Sequence, residues 1–140
     1  MNDTRELVLP PKATSPREAR RWVAGLLDGW GLEPLVEQVE LLTTEVVTNA
    51  LLHAGTTMQV RVGREGEGVR VEVEDGSQVM PLRRHYSPTA STGRGMTLLS
   101  SLADDFGWHG SERGKVTWFV VTTVRSAWDT FELDDVMGGP

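Results

Sequence analysis

The chain has 140 residues, of which 39% are apolar and 24% charged, and its net charge is −6 at neutral pH. This length suits one hydrophobic core, so we expect a single domain over residues 1–140. The absence of cysteine excludes a disulfide framework and a cysteine-ligated zinc site, and the acidic balance argues against direct nucleic-acid binding.

We expect no targeting segment in the N-terminal region. Residues 1–21 contain no apolar h-region, and no apolar run approaches the length of a bilayer-spanning helix. We therefore expect a soluble, cytoplasmic protein that does not contact a membrane.

Two helices are predicted in the first part of the chain. Residues 7–9 suggest a short strand or extended arm before them. Ser15 is the expected N-cap of the first helix, with Pro16 at its first position and Glu18 completing a capping box. The second helix should open at Pro34 and end at a C-cap glycine, and its apolar residues share one face: Leu35, Val39, Leu42, Val46 and Ala50, followed by Gly55.

Alternating runs predict two hairpins farther along the chain. Residues 58–62 and 69–74 form the first, with six apolar side chains facing inward: Met58, Val60, Val62, Val69, Val71 and Val73. Residues 106–109 and 116–124 form the second. The intervening segment is irregular and suggests a functional lid, after which helical spacing returns from Met96 to Leu102.

This order of elements predicts an α+β fold. Helices grouped on one face of an antiparallel or mixed sheet form a two-layer sandwich. The core should cover about residues 5–124, and the acidic tail, 125–140, should be mobile apart from Trp128 and Phe131.

A polar row accompanies the second helix. Glu45, Asn49 and His53 are four residues apart and therefore lie on one side of the helix, at the margin of its apolar stripe. Such a row indicates a cleft, although each residue could also be solvated, and an imidazole in the last helical turn already interacts well with the helix dipole.

Two glycine-containing stretches add further candidates. Asp75 ends a strand and precedes Gly76, so its carboxylate could accept a hydrogen bond from a ligand amine, or simply form a turn. Gly93 and Gly95 open a helix, where free backbone N–H groups suit phosphates.

These motifs, taken in order, resemble a known superfamily. "TEVVTNALLHA", "VEVEDGSQVMP", "GRGMTLLSSLADDFG" and "GKVTWF" are similar to the boxes of the GHKL ATPases, which include gyrase, histidine kinases, the large heat-shock chaperone and mismatch-repair ATPases. Within that superfamily the chain resembles bacterial anti-sigma factor serine/threonine kinases. The resemblance implies the Bergerat ATP-binding fold and covers roughly residues 5–124.

The resemblance also implies roles for individual residues. Asn49 would hold Mg²⁺ against the nucleotide phosphates, Glu45 would act as the catalytic base, and Asp75 would bind the adenine amine. The other implied nucleotide contacts are His53, Ser77, Arg84 of a lid over 77–92, and the phosphate loop of Gly93, Arg94, Gly95 and Met96.

Two positions depart from the family pattern. Ser77 stands where a motif glycine is usual. Val116 stands where a threonine is usual in the last strand, so we expect the hydroxyl of Thr117 on the opposite face and a missing hydrogen bond in the pocket.

The leading functional hypothesis is therefore an ATP- and Mg²⁺-dependent kinase acting by partner switching. Its implied partners are a sigma factor and a small anti-sigma factor antagonist of the STAS type, and a homodimer is possible. The alternatives are a nucleotide-gated partner-binding module without phosphotransfer, a histidine-kinase catalytic domain, and an α+β domain with coincidental motifs.

Overall fold

The computed structural model describes residues 3–77, 99 and 101–123. In that part of the chain two α-helices accompany five strands and a short 3₁₀ helix at Glu33–Leu35. In chain order the elements are β1 (Thr4–Leu9), α1 (Ser15–Gly29), α2 (Val36–His53), β2 (Met58–Glu65), β3 (Gly68–Asp75), β4 (Asp105–Gly110) and β5 (Lys115–Thr122).

The strands form one sheet in the order β1-β2-β3-β5-β4, and every neighbouring pair is antiparallel. The α+β prediction is confirmed, with an antiparallel rather than a mixed sheet among these strands. β5 lies beside β3, and β4 is the edge strand next to β5.

The core lies between the two helices and one face of the sheet. The six predicted inward side chains of β2 and β3 are all buried, as predicted from their alternation. Helix α1 buries one stripe against them and α2 a broader face. The helix residues in the core are Ala19, Val23, Leu27, Val39, Leu42, Val46, Val47 and Ala50.

The start of α1 differs from the prediction by one residue. Thr14 is the N-cap and makes no side-chain capping bond, so the predicted Ser15 cap was wrong. The Ser15 hydroxyl is fully buried and donates instead to the carbonyl oxygen of Pro10, at 2.5 Å. A hydroxyl used to fix the β1–α1 connection is not available to the helix N–H groups.

Helix α2 starts later than predicted and ends as predicted. Pro34 lies in the 3₁₀ turn, where the Leu35 N–H bonds the Leu32 carbonyl, and the α-helical pattern begins at Val36. At the other end Gly55 has a φ of 62° and its N–H donates to the carbonyl of Ala50, which is the left-handed closure that favours glycine.

Part of the predicted third helix is visible. Leu99, Ser101 and Leu102 are helical, and the side-chain amide of Gln38 on α2 donates to the Leu102 carbonyl. The remainder of that helix, lid residues 78–92 and the tail lie outside the described residues. No helix in the described part of the chain is long and apolar enough to cross a membrane.

The sheet face opposite the helices carries a network of charges, here called the open-face network: Arg61, Arg70, Glu72 and Glu74. Arg61 lies 3.1 Å from Glu72 and 3.0 Å from Glu74, and Arg70 lies 2.9 Å from Glu72. The Arg70 guanidinium also stacks 4.2 Å above the ring centroid of Trp118.

These contacts shift the ionisation of the two glutamates. Burial opposes the charge of Glu72, but hydrogen bonds from Arg70 and Arg61 outweigh it and lower the pKa of Glu72. The pKa of Glu74 is lowered mainly by a hydrogen bond from Ser111 and also by Arg61. Both carboxylates are therefore held in the charged form.

Candidate functional site

The polar row of α2 lies beside the buried stripe of that helix. Glu45 and Asn49 are half-buried, and each is adjacent in sequence to a fully covered residue, Val46 or Ala50. His53, the last residue of the helix, is exposed. Because α2 packs on β3 and β5, Glu45 and Asn49 lie at the margin of the helix–sheet contact, where a carboxylate and an amide remain partly accessible.

Asp75 interrupts the apolar face of β3 at its final position. The face that packs against the helices runs through Val69, Val71 and Val73, and the same two-residue period places Asp75 there next. Asp75 is only 3% exposed. A charged side chain on a covered face requires partners, since an unpaired buried carboxylate is strongly unfavourable.

Lys115 and a backbone N–H supply those partners. The Lys115 Nζ lies 2.8 Å from Asp75 Oδ2, and the Ser77 N–H donates to Asp75 Oδ1, also at 2.8 Å. Asp75 and Lys115 are directly opposite each other in the β3–β5 register, so their side chains leave the sheet on the same face. The structure thus adds Lys115, which is itself buried, to the predicted site.

Lys115 could have been found by counting along β5. Phe119 is the fully buried aromatic of that strand, so Thr117 and Lys115, two and four residues earlier, share its face. A lysine at an inward position of a central strand is unusual, because lysine is rarely buried unless paired.

The same parity corrects the prediction for Thr117. Thr117 lies opposite Val73 and is 8% exposed, on the face that the helices cover, whereas Val116 lies opposite Glu74 on the other face. The prediction took Trp118 as the motif aromatic. With Phe119 in that role the threonine stands two residues before it, and its hydroxyl is on the same face as Asp75.

Two glycines allow the backbone to close around Asp75. The Gly76 N–H donates to Thr56 Oγ1 at 2.8 Å, which ties the end of β3 to the α2–β2 connection. Gly114 precedes β5, and a Cβ there would lie 2.6 Å from the carbonyl carbon of Gly76. Neither strand end could come this close with a side chain between them.

A pocket of about 330 Å³ opens at the strand ends. The pocket is lined by Thr56, Thr57, Gln59, Glu74, Asp75, Gly76 and Arg113. The strand residues among them come from both faces of the sheet, so the pocket lies at the edge of the two layers rather than between them. Asp75 and Gly76 are therefore reachable from outside the packed core.

Several predicted contacts cannot be placed relative to this site. Arg84, Gly93, Arg94, Gly95 and Met96 lie outside the described residues, as does the lid after Ser77. Asp75 and Ser77 lie together at one strand end, and Glu45, Asn49 and His53 lie on α2.

The described ranges 3–77, 99 and 101–123 contain no group of three or more histidine and acidic side chains positioned to hold a metal ion. Asn49 nevertheless fits the implied role toward Mg²⁺. Its amide is a neutral oxygen donor that is half-buried at the margin of α2, and Mg²⁺ commonly takes one or two protein ligands and completes its shell with phosphate oxygens and water.

Comparison with known proteins gives one family. The family model of the histidine kinase-like ATPase domain matches residues 9–121, which run from the last residue of β1 to Val121 in β5 and contain both polar motifs described above. A search of proteins with curated functions finds no match. The matched range covers most of the chain, and it follows that this chain belongs to the histidine kinase-like ATPase domain family.

Proposed function

We propose that the protein binds Mg·ATP and transfers the γ-phosphoryl group to a serine or threonine of a small anti-sigma factor antagonist, and that it binds a sigma factor in alternation with that substrate. The observation that carries the nucleotide part is Asp75, a buried carboxylate at the end of a strand in a histidine kinase-like ATPase domain. Each of its two oxygens accepts one hydrogen bond in the structure and can accept another.

The adenine amine is the group that Asp75 would bind. A carboxylate accepts hydrogen bonds and donates none when ionised, so it selects a ligand edge that presents an N–H. The neighbouring Gly76 is exposed, so the backbone beside Asp75 is accessible to a base.

Phosphoryl transfer is assigned to the α2 row. Glu45 would accept the proton of the acceptor hydroxyl as its oxygen attacks the γ-phosphorus, while the bond from that phosphorus to the β–γ bridging oxygen breaks and ADP leaves. Asn49, one helical turn later, would hold Mg²⁺, which neutralises charge on the phosphates. The half-buried position of both residues supports this assignment, because both remain accessible to a ligand beside the helix.

The partner part of the proposal rests on the resemblance of the motifs to anti-sigma factor kinases. The chain offers a candidate base beside a candidate magnesium ligand on one helix, which is the combination a phosphotransferase requires. A nucleotide-gated binding module would use Asp75 in the same way but would give Glu45 no catalytic role.

Phosphoryl transfer from γ-labelled ATP into a lysate of the source cell tests the proposal. The native protein should label a small protein on serine or threonine, and Glu45→Ala should abolish the label while ATP binding persists. Glu37→Ala is the matched control, because Glu37 is an exposed glutamate in the first turn of the same helix and should leave labelling unchanged.

Either of two results would contradict the kinase assignment. Equal labelling by Glu45→Ala would remove the catalytic role of that residue. Absence of label with intact ATP binding would favour the nucleotide-gated binding module.

A further inference from the structure

Lys115 has more hydrogen-bonding capacity than the described part of the protein uses. An ammonium group carries three N–H donors. One donates to Asp75 Oδ2, and no other acceptor lies within hydrogen-bond distance of Nζ among residues 3–77, 99 and 101–123. The residue is 5% exposed, so water has little access to the remaining donors.

Asp75 has matching spare capacity on the acceptor side. Its two oxygens accept one bond each from Lys115 and from the Ser77 N–H, and a carboxylate offers about four lone-pair positions. Lys115 Nζ and Asp75 Oδ2, two of the atoms with this spare capacity, lie 2.8 Å apart at one strand end. A ligand that offers an acceptor directly beside a donor would satisfy both.

The Watson–Crick edge of adenine has that arrangement. The exocyclic N6 amine is a donor, and the adjacent ring nitrogen N1 is an acceptor. A carboxylate alone can bind the amine but leaves N1 to water, whereas a carboxylate paired with an ammonium can bind both groups at once.

We propose that Lys115 is a second base-reading residue, which donates to adenine N1 while Asp75 accepts from N6. This inference rests on the proposed nucleotide binding and specifies which atoms of the base are recognised. The pair is held for this role by the β3–β5 register, which places the two Cα atoms opposite each other, and by Gly114, which lets the β5 end lie against Gly76.

Lys115 also has a structural explanation, which is neutralisation of the buried Asp75 charge. The two explanations differ in what they predict for the ligand. A residue that only neutralises Asp75 would affect the affinity for every adenine analogue that retains N6 by the same factor. A residue that donates to N1 would distinguish analogues that retain N1 from those that lack it.

Calorimetric titration with three nucleotides at fixed Mg²⁺ tests the proposal. The probes are ATP, 1-deaza-ATP, which lacks the N1 acceptor, and 7-deaza-ATP, which lacks a ring nitrogen away from this edge. For the native protein we expect ATP and 7-deaza-ATP to bind alike and 1-deaza-ATP to bind about tenfold more weakly or worse, as for a lost hydrogen bond from a charged group.

The same titrations on the variant Lys115→Met show whether Lys115 is the group that distinguishes the nucleotides. This variant should bind ATP and 1-deaza-ATP with equal affinity, because the donor that distinguishes them is gone. If that variant does not fold, titration of the native protein still tests the proposal, because equal binding of ATP and 1-deaza-ATP would overturn it. Discrimination against 1-deaza-ATP that survives in folded Lys115→Met would assign N1 to another group and overturn the proposal.

The same titrations separate this inference from the proposed function. Equal binding of ATP and 1-deaza-ATP to the native protein would overturn the role of Lys115 and leave ATP binding intact. No binding of ATP at millimolar concentration would overturn both.

Discussion

Strand β3 presents charged side chains on both faces, and the two sets are partnered differently. On the open face Arg61 contacts both Glu72 and Glu74, and Glu72 also contacts Arg70, so loss of one contact leaves others. On the covered face Asp75 has one ionic partner among the described residues, Lys115, and both are almost completely buried. The open-face contacts are redundant and partly exposed, whereas the covered pair rests on one described ion pair and is buried.

The difference follows from position along one strand. The open-face charges alternate with valines along the strands and make that face of the sheet polar. Asp75 continues the valine side, where charge is costly, and its bonding capacity is not exhausted by Lys115 and Ser77. A polar residue at an apolar position, whose partners leave part of its hydrogen-bonding capacity unused, indicates a ligand site.

The largest expected effect comes from breaking the covered pair. Lys115→Met leaves the Asp75 carboxylate buried without its counter-charge, so we expect the free energy of unfolding at pH 7 to fall by about 3 kcal/mol or more. Urea denaturation monitored by tryptophan fluorescence measures it. The double variant Asp75→Asn, Lys115→Met carries no buried charge and should recover most of the loss. A double variant as unstable as the single one would contradict the ion-pair explanation.

A smaller effect is expected where the two strand ends meet. Gly114→Ala places a methyl group against the backbone of Gly76, which must move, and we expect a loss of about 2 kcal/mol in unfolding free energy. Gly25→Ala is the control, because Gly25 is exposed within α1 and a Cβ there meets nothing within 4 Å. That change should stabilise the protein by up to about 1 kcal/mol. Equal effects of the two variants would show that the close approach at Gly114 is not required.

The open-face network should give the smallest effect and a distinct pH dependence. Glu74→Gln should cost about 1 kcal/mol at pH 7, since the network retains its other contacts. The pKa of Glu74 is lowered in the folded state, so its stabilising contribution is present above the ordinary value of 4.5 and is lost as the pH falls through the folded-state pKa.

Urea denaturation of the native protein and Glu74→Gln from pH 7 to pH 3 tests this prediction. The stability difference should shrink as the pH falls. Glu112→Gln, in the exposed β4–β5 turn, is the control and should show little difference at any pH. A difference for Glu74→Gln that stays constant with pH would contradict the proposed charge pairing.

Much of the fold could be predicted from the sequence because its signals are local. Alternation identified the inward faces of β2 and β3, and Gly55 marked the end of α2 through its left-handed conformation. The predicted Ser15 cap was wrong because its hydroxyl bonds Pro10, a choice made by the packing of the β1–α1 connection. Both serine contacts look equally possible in the sequence.

The site was predictable only where one residue carries the signal. Asp75 is a candidate from the sequence because it ends an alternating strand before glycine, and its role stays a prediction. Lys115 was missed because its significance comes from a partner 40 residues earlier that the sheet register places opposite it. Thr117 was assigned to the wrong face because either Trp118 or Phe119 could serve as the reference aromatic, and burial decides between them.

The most direct test of the account is calorimetric titration of Mg·ATP into the native protein and into Asp75→Asn, with circular dichroism to confirm that both are folded. The account predicts that the native protein binds ATP and that Asp75→Asn binds it about tenfold more weakly or worse, because a hydrogen bond to a charged acceptor is lost. Equal affinity of the two folded proteins for ATP would show that Asp75 does not bind the base and would contradict the account.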